Sequence, residues 1–279
     1  MRILLTGAGG QVGQELERAF TGHEVVACDR SRLDVADRDS VLAAITSAAP
    51  DAVVHAAAWT DVDGCETDPD RAFLVNALGT RHVAEAARIF GARVCYLSTD
   101  YVFSGEADRP YHEWDATDPR SVYGRSKLAG EHELDPGATV VRTSWVFGEH
   151  GHNIVKTILR LAETHDTLRF VEDQHGHPTD AGDLAAMVVR LVVGRRPGVF
   201  HVTNQGAVSW HEFAQAVMEA AGHDPARVLP IASADLDPPR PAHRPANSVL
   251  DNAALRLSGV ELLPDFGEPL ARVVKALQG

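Results

Sequence analysis

The stretch RILLTGAGGQVGQELERAF (residues 2–20) joins a short apolar run to a glycine-rich turn and then to an amphipathic segment. Gly7, Gly10 and Gly13 follow the spacing G-x-x-G-x-x-G, with Gly9 as an additional glycine. Glycines at this spacing let the backbone turn tightly and approach a pyrophosphate, whose charge is met by the helix N-terminus. The stretch therefore predicts a strand, a phosphate-binding turn and a helix, the first unit of a dinucleotide-binding fold.

An acidic residue, Asp29, follows the next apolar run. Asp29 follows EVVAC (24–28) and lies twenty-two residues after Gly7, where an acidic side chain can bind the hydroxyls of the adenosine ribose. Its charge would repel a 2′-phosphate and favour NAD, whereas the adjacent Arg30 would partly offset that repulsion. The residues predict a nicotinamide dinucleotide and leave both NADH and NADPH open.

Helical segments alternate with further apolar runs. The runs are RILLT (2–6), EVVAC (24–28), DAVVHAA (51–57), RVCYLST (93–99) and TVVRTS (139–144). Segments that are apolar throughout are typical of parallel strands buried on both faces. A helix is predicted between Pro69, in its first turn, and Gly91 at its end, because these residues punctuate helices in that order. The alternation predicts an α/β fold with a doubly wound parallel (Rossmann) sheet.

The pattern loosens after residue 147. Helices are predicted at 153–164, 180–193, 209–221, 251–257 and 267–277, and a strand at 198–203. Four prolines in 235–248 exclude a helix there, and we interpret this stretch as an ordered loop across the site, with a flexible tail as the alternative. The predicted domains are a dinucleotide-binding domain at 1–147, to which 173–200 returns, and a smaller C-terminal substrate lobe from 148–172 and 201–279.

Composition narrows the classes of partner. The 279-residue chain has a net charge of −13, which argues against nucleic-acid or anionic-membrane partners. No apolar run reaches the roughly 18 residues of a membrane span, and the N-terminus enters a strand at once, so we expect no signal peptide. The three cysteines lack paired spacing, which indicates reduced thiols and a cytoplasmic location.

Two pairs of histidines raise the question of a metal. His150 and His152 lie in EHGHN, and His175 and His177 lie in QHGHPT. Both are glycine-containing turns without cysteine partners, whereas zinc sites usually show helical i,i+4 spacing or cysteine ligands. The pattern favours surface or loop histidines over a metal site.

A hydroxyl, a phenol and an amine follow one another in STDYVF (98–103) and SVYGRSKLAG (121–130). Tyr123 and Lys127 are four residues apart in a helical segment and so share a face. An ammonium near the phenol would lower the tyrosine pKa from about 10 and allow proton exchange with a substrate oxygen. Thr99 ends a strand, where ligands bind in such sheets. These residues predict a proton-transfer site beside the nicotinamide; for Tyr-x-x-x-Lys alone, a solvated helix face is the alternative.

Several longer stretches resemble a known family. LLTGAGGQVGQEL, AAAWTDVDGCETDP, NALGT, YLSTDYVFSG, VYGRSKLAGE, VRTSWVFG, DQHGHPT and RPANSVLDN resemble the extended short-chain dehydrogenase/reductase superfamily and, within it, the dTDP-4-dehydrorhamnose reductase family. The resemblance covers nearly the whole chain. It implies NAD(P)H-dependent reduction of the 4-keto group of dTDP-4-dehydro-L-rhamnose to dTDP-L-rhamnose, with Thr99, Tyr123 and Lys127 as the catalytic residues.

The resemblance also implies binding residues. Those for the cofactor are Gly7, Gly10, Gln11, Val12, Asp29, Arg30, Asp34, Val35, Ala56, Ala57, Ala58, Tyr123 and Lys127. Those for the nucleotide sugar are Thr99, Asp100, Trp145, Arg244, Asn247 and Ser248. Trp145 is expected to cover one face of the sugar. For Arg244, anchoring of the proline-rich loop is the alternative.

The sequence differs from related enzymes at two places, and alternative functions remain open. Related dehydratases carry Asp-Glu after the threonine, whereas Asp100 is followed here by Tyr101, which favours a ketoreductase; Tyr101 itself either packs or contacts substrate. Glu15 is similar to a residue of a magnesium-bridged dimer, but Gly182 replaces the expected second carboxylate, so we predict no metal and leave a monomer or a homodimer open. The alternative functions are another nucleotide-sugar 4-ketoreductase of deoxysugar biosynthesis and a non-catalytic dinucleotide-binding regulatory subunit.

Overall fold

A computed structural model describes residues 1–279. The strands are β1 (Arg2–Thr6), β2 (Glu24–Cys28), β3 (Ala52–His55), β4 (Arg93–Thr99), β5 (Thr139–Thr143), β6 (Val146–Phe147), β7 (Leu168–Val171), β8 (His175–Gly176), β9 (Thr179–Asp180), β10 (Gly198–His201), β11 (Val208–Ser209) and β12 (Val228–Ile231). The α-helices are α1 (Gln11–Ala19), α2 (Arg38–Ala48), α3 (Val62–Thr67), α4 (Pro69–Phe73), α5 (Gly79–Phe90), α6 (Val122–His132), α7 (Ile154–Thr164), α8 (Ala181–Val193), α9 (Trp210–Ala220), α10 (Ala253–Leu257) and α11 (Gly267–Gln278).

The central sheet has six strands in the order β10-β5-β4-β3-β1-β2. Every neighbouring pair is parallel, so the predicted doubly wound parallel sheet is confirmed. After β2 at one edge, the chain crosses to β3 on the other side of β1. Ligands bind at such a reversal, in the crevice outside the carboxyl ends of the strands. The strand order therefore places a crevice between the ends of β1 and β3.

Both faces of this sheet are covered by helices. Ile3 and Leu5 of β1 pack with Leu16 of α1 in one cluster, which also includes side chains of α8. Leu4 packs on the opposite face with Ile45 of α2. Successive side chains of a strand point to opposite faces, so an uninterrupted apolar run supplies both clusters. This explains why β1 shows no alternation of apolar and polar residues.

The helix predicted between Pro69 and Gly91 is interrupted. It consists of α4, a π-helical segment at Leu74–Leu78, and α5. The ends follow the prediction: Asp68 accepts a hydrogen bond from the Arg71 backbone N–H, and Gly91 adopts a φ of +71° beyond the last turn. No sequence pattern indicated the π segment. It contains the buried Asn76, whose Nδ2 atom donates to the Ser126 hydroxyl of α6 at 2.9 Å.

A second core lies in the C-terminal half. Phe147, Ile158, Phe213, Val228 and Leu270 belong to one cluster built from α7, α9, α11 and the short strands β7 and β12. The chain also returns to the first core, because β10 completes the central sheet and α8 packs against α1. The boundaries of the two domains stay a prediction.

Part of the segment predicted for the smaller lobe packs elsewhere. Leu255 and Leu263 belong to the core of the central sheet, and Leu250 packs with Phe103 and Tyr111. The three cysteines are buried and unpaired. None of the helices combines the length and the apolar composition that a membrane span requires.

Candidate active site

The glycine-rich turn depends on two glycines for geometric reasons. Gly7 has a φ of +70°, and a Cβ atom there would lie 2.6 Å from the backbone nitrogen of Ala57. A Cβ atom at Gly13 would lie 2.2 Å from the carbonyl oxygen of Gly7. Glycine is the residue that tolerates such conformations and approaches. The turn after β1 is therefore in direct contact with the segment that follows β3.

A cavity of about 420 Å³ opens at this contact. Nine residues predicted to bind the cofactor line it: Gly7, Gly10, Asp29, Arg30, Asp34, Val35, Ala56, Ala57 and Ala58. Gly9, Ser31, Leu33, Trp59, Arg71 and Val75 also line it and were not predicted as binding residues. Gln11 and Val12 are not among the lining residues, although the Gln11 Oε1 atom is buried without a hydrogen-bond partner.

Two of the lining residues that were not predicted, Trp59 and Arg71, contact each other. Trp59 follows the three alanines directly, and Arg71 lies in the first turns after Pro69. The Arg71 guanidinium lies 4.3 Å from the centre of a Trp59 ring, in the range of a cation–π contact. A diphosphate requires local positive charge, but only the fold shows that Arg71 lies at this cavity.

The carboxylate of Asp29, which lines the cavity, is fixed by hydrogen bonds. Its Oδ1 atom accepts hydrogen bonds from the backbone N–H and hydroxyl of Ser31, at 2.9 and 2.7 Å, and from the Arg32 backbone N–H at 3.1 Å. These bonds, that from the Ser31 hydroxyl first, lower the pKa of Asp29. The glycine turn, this anion and the guanidinium groups of Arg30 and Arg71 fit a dinucleotide, whose ribose and diphosphate need acceptor and cation respectively.

Two glycines allow α6 to pack closely against the residues after β4 and against the π-helical segment. A Cβ atom at Gly124 would lie 2.2 Å from the carbonyl oxygen of Tyr101, and one at Gly130 would lie 2.5 Å from that of Asn76. Ser121 caps the helix, because its hydroxyl accepts a hydrogen bond from the Gly124 N–H at 3.1 Å. This close packing buries the side of α6 that carries the predicted phenol and amine.

Thr99 ends β4 with its hydroxyl in a fixed direction. The hydroxyl donates to Asp100 Oδ1 at 2.8 Å and accepts from the Tyr101 N–H at 3.2 Å. Asp100 is 3 % exposed, and its Oδ2 atom is buried without a partner. Burial raises the Asp100 pKa to about 6, against the hydrogen bonds of Ser248 and Thr99. This carboxyl group therefore changes its charge close to neutral pH.

The structure changes the expected electrostatics of Tyr123 and Lys127. Burial raises the Tyr123 pKa, and the Thr99 hydroxyl opposes this rise. Burial lowers the Lys127 pKa to about 7, and Glu131 opposes this fall. Lys127 Nζ donates to the Leu97 carbonyl oxygen at 2.7 Å. The expectation that Lys127 lowers the tyrosine pKa is wrong for this state, because desolvation outweighs a charge that points elsewhere.

Trp145 follows β5 and has a strained backbone, with a φ of +44°. Its ring is stacked on that of Trp210, with ring centres 3.6 Å apart and planes inclined by 10°. Gly176 lies against the same indole, because a Cβ atom there would be 2.5 Å from Trp145 Cε2. Trp210 was not predicted as a site residue.

The C-terminal candidates make contacts within the protein. Arg244 Nη2 donates to Asp63 Oδ2 at 2.9 Å, while its Nη1 atom is buried without a partner. Asn247 Nδ2 donates to the carbonyl oxygens of Ala107 and Arg109 at 2.8 and 2.9 Å. The Ser248 hydroxyl donates to the His175 carbonyl oxygen at 3.2 Å. The substrate roles of these residues stay predictions, with Nη1 of Arg244 as the unsatisfied donor.

The histidine pairs have different environments. His177 is 7 % exposed, and burial lowers its pKa to about 4, so it is a core residue rather than a surface one. His150 lies against Arg18 and 3.5 Å from Glu15 Oε1. A Cβ atom at Gly182 would be 4.0 Å from Glu15 Oε2. Gly182 thus lies near Glu15 and offers no side-chain carboxylate there.

Comparison with known families agrees with this geometry. The family described as RmlD substrate binding domain matches residues 1–278. The chain belongs to this family. Its relatives include a dTDP-4-dehydrorhamnose reductase of Streptomyces griseus, 42 % identical over 100 % of this chain and 94 % of the relative.

A second relative and a solved structure show the range of the family. The probable dTDP-4,6-dihydroxy-2-methyloxan-3-one 4-ketoreductase of Streptomyces antibioticus is 42 % identical and covers 97 % of this chain and 93 % of its own. The crystal structure of dTDP-4-dehydrorhamnose reductase from Bacillus anthracis in complex with NADP superimposes with a TM-score of 0.94, at 36 % identity and 98 % coverage of both chains. The family therefore includes proteins named for different keto sugars.

Proposed function

We propose that this protein uses NADPH or NADH to reduce the 4-keto group of dTDP-4-dehydro-L-rhamnose, giving dTDP-L-rhamnose. The observation that carries the proposal is the grouping of Thr99, Tyr123 and Lys127 at the end of β4. The phenol and amine are buried. Trp59 packs against the cluster that contains Tyr123 and also lines the cavity. The chain matches the reductase family over its whole length.

The cofactor would lie along the crevice between β1 and β3. Gly7, Gly10 and the start of α1 would bind its diphosphate, and Asp29 would bind the adenosine ribose. Ala56, Ala57 and Ala58 would form the wall beside it. When bound, the reduced nicotinamide supplies the hydride for C4 of the sugar. The protein must then supply a proton to the C4 oxygen.

Tyr123 is suited to give that proton. Its raised pKa keeps the phenol protonated at neutral pH, and its Oη–H proton would pass to the C4 oxygen as the carbonyl becomes an alcohol. The phenolate that remains needs a nearby cation, which protonated Lys127 would supply while it also holds the nicotinamide ribose. Thr99 would orient the carbonyl oxygen. Proton exchange with solvent would then restore the phenol.

A dehydration is disfavoured by the residue after Asp100. An elimination needs an acid and a base that act on the same sugar, and Tyr101 stands where related dehydratases carry glutamate. Burial raises the Tyr101 pKa, so this phenol stays protonated at neutral pH and is not available as a base. The carboxyl group of Asp100 alone does not supply both functions.

The second candidate is reduction of another dTDP-4-keto sugar. The relative from Streptomyces antibioticus is as similar to this chain, at 42 % identity, as that from Streptomyces griseus. A few side chains around the sugar decide stereochemistry. Overall similarity therefore supports the keto-sugar class more strongly than the individual sugar.

Incubation with NADPH and a panel of dTDP-4-keto sugars tests the proposal. We expect the fastest turnover with dTDP-4-dehydro-L-rhamnose and identification of dTDP-L-rhamnose by NMR. Faster turnover of a different keto sugar would establish the second candidate. Binding of the cofactor without turnover of any sugar would instead establish a regulatory subunit.

We further propose that the protein acts in the cytoplasm as a monomer or a homodimer, without nucleic-acid or membrane partners. Three buried, unpaired cysteines suit a reducing compartment, and the net charge of −13 disfavours polyanions. Cell fractionation and light scattering of the purified protein test the location and the oligomeric state.

A further inference from the structure

The backbone at Trp145 is held in an unusual conformation. A positive φ is uncommon for a bulky residue, and such strain persists where the surroundings enforce it, often at functional sites. Here the Thr179 N–H donates to the Trp145 carbonyl oxygen at 3.2 Å, and the Ser144 hydroxyl donates to the His177 carbonyl oxygen at 2.8 Å. The segment after β8 therefore fixes the direction of the indole.

Both faces of the Trp145 indole are covered by protein. Trp210 covers one face as a parallel ring. A Cβ atom at Gly176 would lie 2.5 Å from Cε2 and 2.8 Å from both Nε1 and Cζ2, the two atoms bonded to Cε2 on either side. A Cβ position in the ring plane, beyond the ring edge, would be closer to Nε1 and Cζ2 than to Cε2. Gly176 therefore lies above the ring plane. A parallel ring at 3.6 Å leaves no room for it on the same side.

One small sheet supplies both contacts. Gly176 of β8 pairs with Val208 of β11, and Trp210 follows β11 as the first residue of α9. The Trp210 N–H donates to the Gln174 carbonyl oxygen at 3.3 Å. A capping box between Ser209 and Glu212 fixes the start of α9. The spacing between the two covered faces is therefore set by backbone pairing.

We infer that Trp145 contacts the substrate with the edge of its indole, through the Nε1–H group, and that Gly176 and Trp210 are positioning residues that hold it edge-on. The Nε1 atom makes no hydrogen bond within the protein and is not fully buried. An indole N–H only donates, so its partner is an oxygen of the sugar or the diphosphate. This contact would take the place of the expected stacking of Trp145 on a face of the sugar.

The inference rests on the proposed function, and two pairs of variants test the positioning residues. Gly176→Ala places a methyl group against the ring, whereas Gly137→Ala is its control, because a Cβ atom there meets nothing within 4 Å. Trp210→Leu removes the stacked ring, and Trp114→Leu is its control, since Trp114 is 69 % exposed. Trp145→Phe removes the N–H group and keeps an aromatic ring that can stack. For each variant, KM and kcat are measured with the preferred dTDP-4-keto sugar and with NADPH.

We expect Gly176→Ala and Trp210→Leu to raise the KM for the nucleotide sugar about tenfold or more, as displacement of a binding group does. Trp145→Phe should raise it about tenfold, the effect of one lost hydrogen bond. The KM for NADPH and both controls should stay within about twofold of wild type, because a hydrogen-bond-sized effect lies well above that. A general loss of folding would instead lower the melting temperature and change the KM for both substrates.

Two results would overturn the inference. The first is a Trp145→Phe enzyme with the wild-type KM for the nucleotide sugar, which would show that the N–H group is unused. The second is a Gly176→Ala enzyme that behaves like Gly137→Ala, which would show that the ring position is not enforced. If wild type turns over no dTDP-4-keto sugar, the proposed function itself fails; if it does, these comparisons test the positioning residues alone.

Discussion

At the scale of single residues, we propose that Tyr123 carries the chemical step. Its phenol is buried and its pKa is raised, so it is a proton donor over the whole physiological range. Tyr123→Phe should lower kcat by about 10²–10⁴, the usual contribution of general acid catalysis, with the KM for NADPH nearly unchanged. Steady-state kinetics and a cofactor titration measure both. Retention of more than about a tenth of kcat would exclude the phenol as the acid.

The protonation of Lys127 should determine how kcat/KM depends on pH. Burial lowers its pKa to about 7, and only the protonated amine stabilises the phenolate. The active fraction of free enzyme should therefore fall as the pH rises through about 7, while Tyr123 remains protonated. The measurement is kcat/KM from pH 5 to 9. Lys127→Arg should be slower, but without the alkaline decline, because a guanidinium keeps its charge. A wild-type profile that stays level up to pH 9 would contradict this role.

Asp29 predicts cofactor preference. Asp29 lines the cavity, and we propose that its charge repels a 2′-phosphate there, so Asp29→Ala should lower the ratio of the KM for NADPH to that for NADH. Ser31→Ala is the matched control, since it removes a hydrogen bond to the same carboxylate and leaves the charge in place. If the two KM values for Asp29→Ala change together, or not at all, another residue selects the cofactor.

At the scale of elements, an ion pair between α6 and β5 is the clearest test of stability. Arg142 binds Glu131 through two hydrogen bonds of 3.0 and 2.6 Å, with side chains 6 % and 7 % exposed. Arg142→Met leaves a buried carboxylate unpaired and should lower the free energy of unfolding by about 3–5 kcal/mol. Arg88→Met breaks the exposed pair with Asp135 and should cost about 0–1 kcal/mol. Equal losses in urea unfolding would contradict the importance of burial.

The sequence predicted elements well where a local rule governs them. Uninterrupted apolar runs marked the strands of the sheet, and Pro69 and Gly91 marked the ends of one helical segment. The π-helical interruption at Leu74–Leu78 was not predicted, because no local sequence pattern marks it. His177 lies in a loop, one of the two expected environments, but its burial was not predicted, since a histidine in a glycine-containing turn carries no sign of what packs over it.

At the scale of the whole molecule, the site combines segments that are distant in sequence. The glycine turn, the acidic residue after β2 and the Tyr-x-x-x-Lys pattern allowed candidate site residues to be predicted in the first half of the chain. The pairing of Trp145 with Trp210 and of Arg244 with Asp63 was beyond prediction, because each joins the central domain to the C-terminal segments. The pKa shifts of Tyr123 and Lys127 were also beyond it, since they depend on how completely α6 covers them.

The last prediction concerns which part of the substrate supplies affinity. The dTDP part offers two phosphates and a base, whereas the sugar offers only a few hydroxyl groups. Arg244 has a buried Nη1 donor without a partner beside its ion pair with Asp63. We expect dTDP to compete with the nucleotide sugar, free rhamnose not to compete, and Arg244→Ala to raise the KM for the nucleotide sugar. Binding energy from such remote groups positions the reacting carbonyl.

Asp63→Ala separates two ways in which Arg244 could act. Asp63 also accepts a hydrogen bond from the Ala242 N–H at 3.1 Å, so its loss frees the proline-rich loop and keeps the guanidinium. If Arg244 binds the diphosphate itself, Arg244→Ala should weaken inhibition by dTDP more than Asp63→Ala does; equal effects would assign it to anchoring the loop. Inhibition of wild type and Arg244→Ala to the same extent would remove Arg244 from the site. If millimolar dTDP does not inhibit wild type at all, the nucleotide-sugar substrate is wrong, because dTDP carries both the phosphates and the base that are proposed to supply the affinity.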